Sequence, residues 1–169
     1  MEEMLLPTYI RDRTNLYVPH EFLDYVRQAV FRHVPVGTSS SPRRIYVSRS
    51  MASRRRVINE AEVVECLSAY GIGVVNSEIL SLEEQVRLFR QAELIVGPHG
   101  AGLTNMLFSQ HAKVIEFLGD PNPSARHFVR LAATLGHEHH FVQVRQKSKN
   151  EDMFVDIDVL KRRLDSLIG

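Results

Sequence analysis

The chain has 169 residues, of which 44% are hydrophobic and 24% are charged, and its formal net charge is +1. This length allows one compact domain, and the near-neutral charge provides no overall field that would favour nucleic acid or an anionic membrane. A single cysteine, Cys66, excludes an intrachain disulfide and a cysteine-based zinc site. The acidic N-terminus and the absence of an apolar run of ~20 residues predict a cytoplasmic protein with no transmembrane segment.

Strand-like and helix-like patterns alternate along the chain. Apolar residues at helical spacing predict a helix from Glu21 to Val34, and a polar loop follows it. The predicted strands then lie at residues 44–48, 72–75, 94–97, 113–117 and 140–144. Strands that alternate with helices indicate a parallel sheet covered on both faces. We therefore predict an α/β fold, a doubly wound Rossmann-like parallel sheet of about five strands.

Capping residues indicate where the helices between these strands begin. The expected helix starts are Asn59 with Glu62, Ser81 with Glu84, Ser124, and Asp156. Residues 146–152 resemble a charged, mobile loop. We assign residues 1–40 to an N-terminal extension with one helix and residues 41–169 to the Rossmann-like domain.

Unusual residues follow three of the predicted strands. In an open parallel sheet, ligands bind outside the carboxyl ends of the strands. This rule selects residues 48–56 after the first strand, residues 97–105 after the third, and residues 116–120 at the end of the fourth. These segments contain the candidate binding residues.

The segment 97–105, Gly-Pro-His-Gly-Ala-Gly-Leu-Thr-Asn, combines three glycines with the start of a helix. Glycine allows a ligand to approach the backbone closely, and the first amides of a helix attract anions. His99 and Asn105 add side-chain donors, so the segment is a candidate diphosphate cradle. A tight turn without a ligand has the same pattern. The glycines fit neither a Walker loop nor the Gly-x-Gly-x-x-Gly of a nicotinamide site.

Arginines are concentrated in residues 49–56, Arg-Ser-Met-Ala-Ser-Arg-Arg-Arg. Guanidinium groups match phosphate oxygens and would stabilise a diphosphate leaving group as its negative charge develops. A solvated basic loop is the alternative. Glu60 is expected to complement the following helix dipole and is a candidate partner for one of these arginines.

Glu116 ends an otherwise apolar strand, where a carboxylate can accept hydrogen bonds from a ribose diol or face water. His139 and His140 point to opposite faces of a strand and have no carboxylate at ligand spacing, so we predict no metal site. The absence of a Gly-x-Ser-x-Gly elbow argues against a serine hydrolase. The lack of tryptophan and the few aromatics near basic residues argue against nucleic-acid binding.

Several motifs together resemble glycosyltransferase family 61, which includes capsular-polysaccharide enzymes, plant xylosyl- and arabinosyltransferases and animal O-linked N-acetylglucosaminyltransferases. They occur in the family's order at residues 44–50, 55–60, 80–85, 89–92, 95–105, 107–108 and 114–116. The resemblance covers roughly residues 40–145. It implies one half of a GT-B architecture, a nucleotide-sugar donor, inversion at the anomeric carbon, and no metal or other cofactor.

The resemblance also implies roles for individual residues. Arginines after the first strand would contact the diphosphate, the glycine segment would form its backbone cradle, and a carboxylate would lie near the ribose. The predicted nucleotide-sugar-binding residues are Arg49, Arg55, Arg56, Gly100, Ala101, Gly102, Asn105 and Glu116. His99, near the phosphate or the sugar, is the candidate catalytic residue.

About 40 residues precede the first motif, which we consider too few for the amino-terminal acceptor-binding domain of this family. We therefore predict a UDP-sugar-binding domain of an inverting, metal-independent glycosyltransferase of polysaccharide or glycan biosynthesis, inactive alone. Its expected partners are the donor and, through a missing domain, a glycan acceptor. A homodimer is a further possible assembly. The alternatives are a non-catalytic half-domain for assembly or regulation and, disfavoured by the glycine pattern, an epimerase or reductase.

Overall fold

The structure is a computed structural model that describes residues 19–35, 42–119, 126–146 and 149–168. Five helices and seven strands occur in these ranges, together with 3₁₀ helices at Ser77–Ile79 and Ala101–Phe108. In chain order they are α1 (His20–His33), β1 (Arg44–Val47), α2 (Glu60–Ser68), β2 (Gly73–Val75), α3 (Leu82–Gln91), β3 (Leu94–Pro98), β4 (Lys113–Leu118), α4 (Arg126–Thr134), β5 (Glu138–Gln143), β6 (Arg145–Gln146), β7 (Met153–Phe154) and α5 (Ile157–Ile168).

The first five strands form one sheet in the order β2-β1-β3-β4-β5. Every neighbouring pair in this sheet is parallel. The predicted α/β class with a doubly wound parallel sheet is therefore confirmed. After β2 the chain returns across β1 to start β3, so the direction of strand addition reverses between β1 and β3. The crevice outside the carboxyl ends of these two strands is the topological switch point, where ligands of such sheets bind.

Side chains of the sheet alternate between two hydrophobic layers. Ile45 and Val47 of β1 face the layer that includes α1, α3 and α4. Tyr46, between them, faces the layer that includes α2 and α5. This alternation follows from the two-residue period of a strand, and it explains why both neighbours of a buried strand residue are also buried. Burial on both faces leaves the strand ends as the part of the sheet that a ligand can reach.

The predicted helix starts at Asn59, Ser81 and Asp156 are confirmed, and the last two carry the expected side-chain caps. The Ser81 hydroxyl accepts a hydrogen bond from the Glu84 backbone at 3.2 Å, and the Glu84 carboxylate accepts one from the Ser81 backbone at 2.8 Å. Asp156 accepts hydrogen bonds from the backbone amides of Asp158 and Val159 at 3.0 and 3.2 Å. Both contacts satisfy amides that have no partner within their helix.

The prediction of a capping box at Asn59 is wrong. No side-chain cap bond joins Asn59 to α2. Instead its amide donates to the Val155 carbonyl at 2.9 Å and accepts from the Val155 amide at 3.0 Å. The buried amide is fully paired by a distant segment, which outcompetes the local cap. Glu60 is also not paired with an arginine: it accepts hydrogen bonds from Tyr46 and Ser48 at 3.0 and 2.8 Å.

The remaining differences concern segment ends. β5 begins at Glu138, two residues before the predicted start. The predicted loop at 146–152 is flanked by β6 and β7, which pair antiparallel. Ser124 and most of the predicted N-terminal extension lie outside the described residues. The boundary at residue 40 stays a prediction, and α1 packs Leu23 into the first hydrophobic layer. Among the described helices, none has both the length and the apolar character needed to cross a membrane.

Candidate functional site

A cavity of about 260 Å³ opens at the carboxyl ends of β1, β2 and β3, beside the topological switch point. Its walls come from the loop after β1, the 3₁₀ helices after β2 and β3, and the first turn of α3. The lining residues are Val47, Ser48, Arg49, Ser77, Glu78, Gln85, Pro98, Ala101, Gly102, Leu103 and Asn105. Four of the predicted site residues, Arg49, Ala101, Gly102 and Asn105, are therefore brought together.

The Arg49 side chain packs directly against Gly100 at the carboxyl ends of these strands. A Cβ built on Gly100 would stand 2.9 Å from the guanidinium carbon of Arg49 and closer still to Nη1. A Cβ on Gly102 would come within 2.8 Å of the Val47 side chain. The backbone of Gly100 is extended, with φ 175°, so glycine serves here for close approach and not for an unusual conformation. The two glycines allow the segment after β3 to pack against the end of β1.

Positive charges lie close together at Arg49. Burial, and next the nearby positive charge of Arg55, hold the pKa of Arg49 below its usual range, while Glu78 acts in the opposite direction. The Arg49 guanidinium donates to the Arg54 carbonyl at 3.1 Å, and its Nε is buried with no hydrogen-bond partner in the described part of the chain. Two guanidinium groups that repel one another create a position where an anion is stabilised.

The other arginines of the loop contact the turn between β6 and β7. Arg54 forms an ion pair with Glu151 at 3.1 Å, and Arg55 Nε lies 3.8 Å from the same carboxylate. Arg56 lies 3.6 Å from Asp152, which also accepts a hydrogen bond from the Arg56 backbone at 3.0 Å. Of the predicted arginines, Arg55 interacts electrostatically with Arg49 and Arg56 is paired with Asp152, and neither lines the cavity.

The short predicted helix after β3 is a 3₁₀ helix, Ala101–Phe108. Its leading amides lack partners within the helix and attract anions. Asn105 on this helix donates to the Gln85 side chain at 2.7 Å, and Gln85 donates to the Leu80 carbonyl at 2.9 Å. These bonds tie the glycine segment to the start of α3, so the cavity wall is built from fixed amide groups.

His99 and Glu116 contact one another beside this cavity. His99 directly follows β3, whereas Glu116 lies within β4, two residues before its end, so the prediction that Glu116 ends its strand is wrong. The His99 ring nitrogen Nδ1 contacts Glu116 Oε1, and the His99 backbone donates to the Phe117 carbonyl at 3.0 Å. The second carboxylate oxygen, Oε2, lies 3.0 Å from Nε2 of His139. The Glu116 side chain is fully buried. Its contact with a ribose stays a prediction, and its contacts in the structure are the two histidines.

The ionisation of Glu116 reflects two opposing effects. Burial raises the pKa of this carboxyl, but the neighbouring His139 and His99 outweigh burial, so its pKa lies below the ordinary value. An ionised carboxylate only accepts hydrogen bonds, so His99 carries its proton on Nδ1. The other ring nitrogen of His99, Nε2, is then the one left for a ligand.

The model of the family Glycosyltransferase 61 matches residues 1–115 of the chain. The chain belongs to this family. The match begins at residue 1, earlier than the motifs that predicted it, and ends directly before Glu116. The family's chemistry is glycosyl transfer, and the arginine loop, His99 and the glycine segment all lie within the matched region.

Two relatives match parts of the chain. A beta-1,2-xylosyltransferase of Arabidopsis thaliana is 32% identical over 98 residues, covering 50% of this chain and 18% of the relative. An EGF domain-specific O-linked N-acetylglucosamine transferase of Drosophila melanogaster is 38% identical over 66 residues, covering 37% of this chain and 12% of the relative. The matched region therefore spans less than a fifth of either relative.

Sequence reasoning missed several residues of the site. Ser77, Glu78 and Gln85 line the cavity, and the side-chain oxygens of Asn76 and Ser77 are buried without hydrogen-bond partners among the residues that the structure describes. For Asn76, Ser77 and Glu78, the position directly after β2 was a usable signal, because β2 ends at the same sheet edge as β1 and β3. His139 had no such signal. Over the described ranges, no group of three or more His, Cys, Asp or Glu side chains has an arrangement that holds a metal ion.

Proposed function

We propose that this chain is the donor-binding half of an inverting, metal-independent glycosyltransferase and that it binds a UDP-sugar at the β1–β3 crevice. The observation that supports this most strongly is the position of Arg49 across Gly100, with Arg55 nearby and a helix start alongside. This arrangement combines cationic side chains with unpaired backbone amides. Such a combination is suited to a diphosphate, which carries several acceptor oxygens and negative charge.

In the proposed reaction, an acceptor hydroxyl attacks the anomeric carbon while the bond from that carbon to the diphosphate oxygen breaks. Negative charge grows on the departing UDP. Arg49 and the leading amides of 3₁₀ helix Ala101–Phe108 would stabilise that charge without reorganisation, which is the effect of a preorganised electrostatic site. Because guanidinium groups supply the positive charge, the proposed mechanism requires no metal ion at this position.

The cavity is suited to a part of the donor. Its volume of about 260 Å³ lies below the roughly 300–1,000 Å³ of cavities that enclose drug-sized ligands. We therefore assign it to the diphosphate and an adjacent ring, while the rest of the donor extends along the open strand ends. The lining carries Arg49, Glu78, Gln85 and Asn105 but no aromatic side chain.

The named relatives support a sugar donor. Their names describe transfer of xylose and of N-acetylglucosamine. In the proposed enzyme the acceptor and the general base come from a second domain that faces the carboxyl ends of the sheet. The acceptor and the complete activity are accordingly proposals for the whole enzyme, and donor binding is the function that we propose for this chain.

Isothermal titration calorimetry with UDP tests this proposal. We expect saturable binding by the folded wild-type chain, and a loss of at least about tenfold in affinity for Arg49→Ala, since a hydrogen bond to a charged group contributes ~1.5–3 kcal/mol. Arg43→Ala is the matched control, because Arg43 is an exposed arginine that pairs with Glu93 before β1. No UDP binding at about 1 mM, a weak ligand's range, would contradict the proposal.

A further inference from the structure

A buried carboxylate connects two histidines at the carboxyl end of the sheet. Glu116 contacts His99 through one oxygen and lies 3.0 Å from His139 through the other. Of the two histidines, only His99 is among the predicted site residues. We propose that His139 is a positioning residue, which holds the Glu116 carboxylate and thereby fixes the ring of His99 for donor binding. The expected effect on donor affinity rests on the proposed function. The contacts from His139 through Glu116 to His99 are present without any ligand.

The register of the sheet produces this contact. In the parallel pairing of β4 with β5, Glu116 lies opposite Phe141 and Val114 lies opposite His139. Side chains two residues apart on a strand share a face, so His139 and Glu116 project from the same side of the sheet. His140 projects from the other side, where its ring lies 3.7 Å from Glu138. Adjacent histidines therefore have different surroundings, and His140 serves as an internal control.

His99 is held on the other side of the carboxylate. Its backbone donates to the Phe117 carbonyl at 3.0 Å, which fixes the residue beside β4. Its ring meets the edge of Phe128 on α4 at a centroid distance of 5.1 Å, and the ring of His139 meets that of Phe141 at 4.7 Å. Aromatic side chains therefore flank both histidines. This packing limits the orientations that the two imidazole rings can adopt.

Burial decreases from the carboxylate towards the site. The Glu116 side chain is 0% exposed, that of His139 is 5% exposed, and that of His99 is 17% exposed. A buried carboxylate requires partners because its desolvation is costly. Glu116 Oε2 has no aligned hydrogen bond among the described residues, and His139 Nε2 is the polar atom placed within ion-pair distance of it. Loss of His139 would leave this oxygen buried and uncompensated.

The histidines also determine the charge of the carboxylate. The charged groups that act on Glu116 are His139 and His99, and both favour its ionised form. Helix α4 packs on the face of the sheet from which Glu116 projects. The ionisable side chains of this helix in the described range are His127 and Arg130. An ionised Glu116 fixes the proton of the neutral His99 ring on Nδ1 and leaves Nε2 as a hydrogen-bond acceptor towards a ligand. His139 thus acts on the donor site through Glu116.

NMR of the histidine rings in the ligand-free protein tests the linkage. We expect the neutral His99 ring to carry its proton on Nδ1 in the wild type and in His140→Leu. In His139→Leu we expect a mixture of tautomers, because the carboxylate that selects Nδ1 is no longer held. His139→Gln, whose amide can donate to Glu116, should retain the Nδ1 proton. An unchanged tautomer in His139→Leu would overturn the proposal.

If His139→Leu does not fold, the wild type provides the same test. Magnetisation transfer between the ring protons of His139 and the side-chain protons of Glu116 is then expected from their contact, and its absence would contradict the linkage. A second arm measures UDP binding by calorimetry, where we expect about tenfold weaker affinity for His139→Leu, as for other outer partners of functional histidines. Unchanged UDP affinity in that variant would refute the positioning role. Absence of UDP binding by the wild type would instead overturn the proposed function, because the NMR arm uses no ligand.

Discussion

Arg49 lies across Gly100 so closely that a Cβ at residue 100 would stand 2.9 Å from its guanidinium carbon. The two residues come from loops after different strands, β1 and β3, which are neighbours in the sheet. Their contact links the cationic loop to the glycine segment. The observed position of Arg49 therefore depends on Gly100, since the arginine side chain occupies space that only glycine leaves open.

Gly100→Ala should impair donor binding more than folding. The backbone there is extended and suits any residue, and the obstacle is the end of a flexible side chain, so we expect a stability change within about 1 kcal/mol. Displacement of Arg49 should weaken UDP affinity about tenfold. Calorimetry and thermal unfolding measure both effects. Gly73→Ala is the control, because its nearest neighbour would be at 3.4 Å, and equal UDP affinity in the two variants would contradict this account.

Glu151→Gln should strengthen UDP binding. Glu151 lies 3.1 Å from Arg54 and 3.8 Å from Arg55, and its side chain is 45% exposed, so it competes with an anionic ligand for the loop. Removal of an exposed ion pair changes free energies by about 0.2–1 kcal/mol, which corresponds to an affinity gain of up to roughly fivefold. Calorimetry at low and high salt measures this gain, which should shrink as salt screens the charges. Weaker UDP binding by Glu151→Gln would show that the carboxylate supports the loop instead.

His137 should make stability depend on pH. Its Nδ1 accepts from the Ala112 amide at 3.2 Å, its Nε2 donates to the Met106 carbonyl at 3.0 Å, and burial lowers its pKa. His137 therefore binds a proton more weakly in the folded chain than in the unfolded chain. Stability is complete above the ordinary histidine pKa of about 6.5 and falls as pH decreases below it.

Thermal unfolding between about pH 8 and pH 5, a range that brackets the ordinary histidine pKa, measures this dependence. At the upper end of this pH range, His137→Gln should be less stable by about 1–3 kcal/mol, because a buried hydrogen-bond partner is lost. Its stability should also change less with pH than that of the wild type. Parallel curves for the two proteins would assign the pH dependence to other groups.

Asn59→Ala should cost more stability than Ser81→Ala. Ser81 caps a helix at the surface, and loss of such a cap costs about 1 kcal/mol. Asn59 is buried and satisfies both backbone groups of Val155, so its loss leaves a buried donor and a buried acceptor unpaired, at about 1–3 kcal/mol each. Denaturant unfolding of both variants measures the difference. Equal losses would contradict the structural role of Asn59.

The fold was predictable because its signals are local. Apolar periodicity placed the strands and helices, and Ser81 with Glu84 marked a helix start within four residues of sequence. The predicted capping box at Asn59 is wrong because the sequence pattern is local. It indicated a contact with Glu62, whereas the partner of Asn59 is Val155, which lies 96 positions away. A capping residue seen in sequence is therefore a weaker indication when its side chain is buried.

The site was predictable only in part. The rule for strand ends, together with the family motifs, brought Arg49, Gly102 and Asn105 to one cavity. The contact between Glu116 and His139 was not predictable, because it depends on which residue of β5 lies opposite which residue of β4. A shift of one residue in that register would have placed His140 on the face of Glu116. Pairing register is a property of the packed sheet, and single-strand patterns do not encode it.

In the proposed complex the diphosphate of a nucleotide sugar binds where Arg49 meets the glycine segment. Titration of the ¹⁵N-labelled chain with UDP, followed by NMR, detects this contact. We expect the largest shifts at the amides of Gly100, Ala101 and Gly102 and at the Nε of Arg49, and we expect Arg49→Ala to remove them. Saturable shifts confined to another part of the chain, or none at about 1 mM UDP, would contradict it.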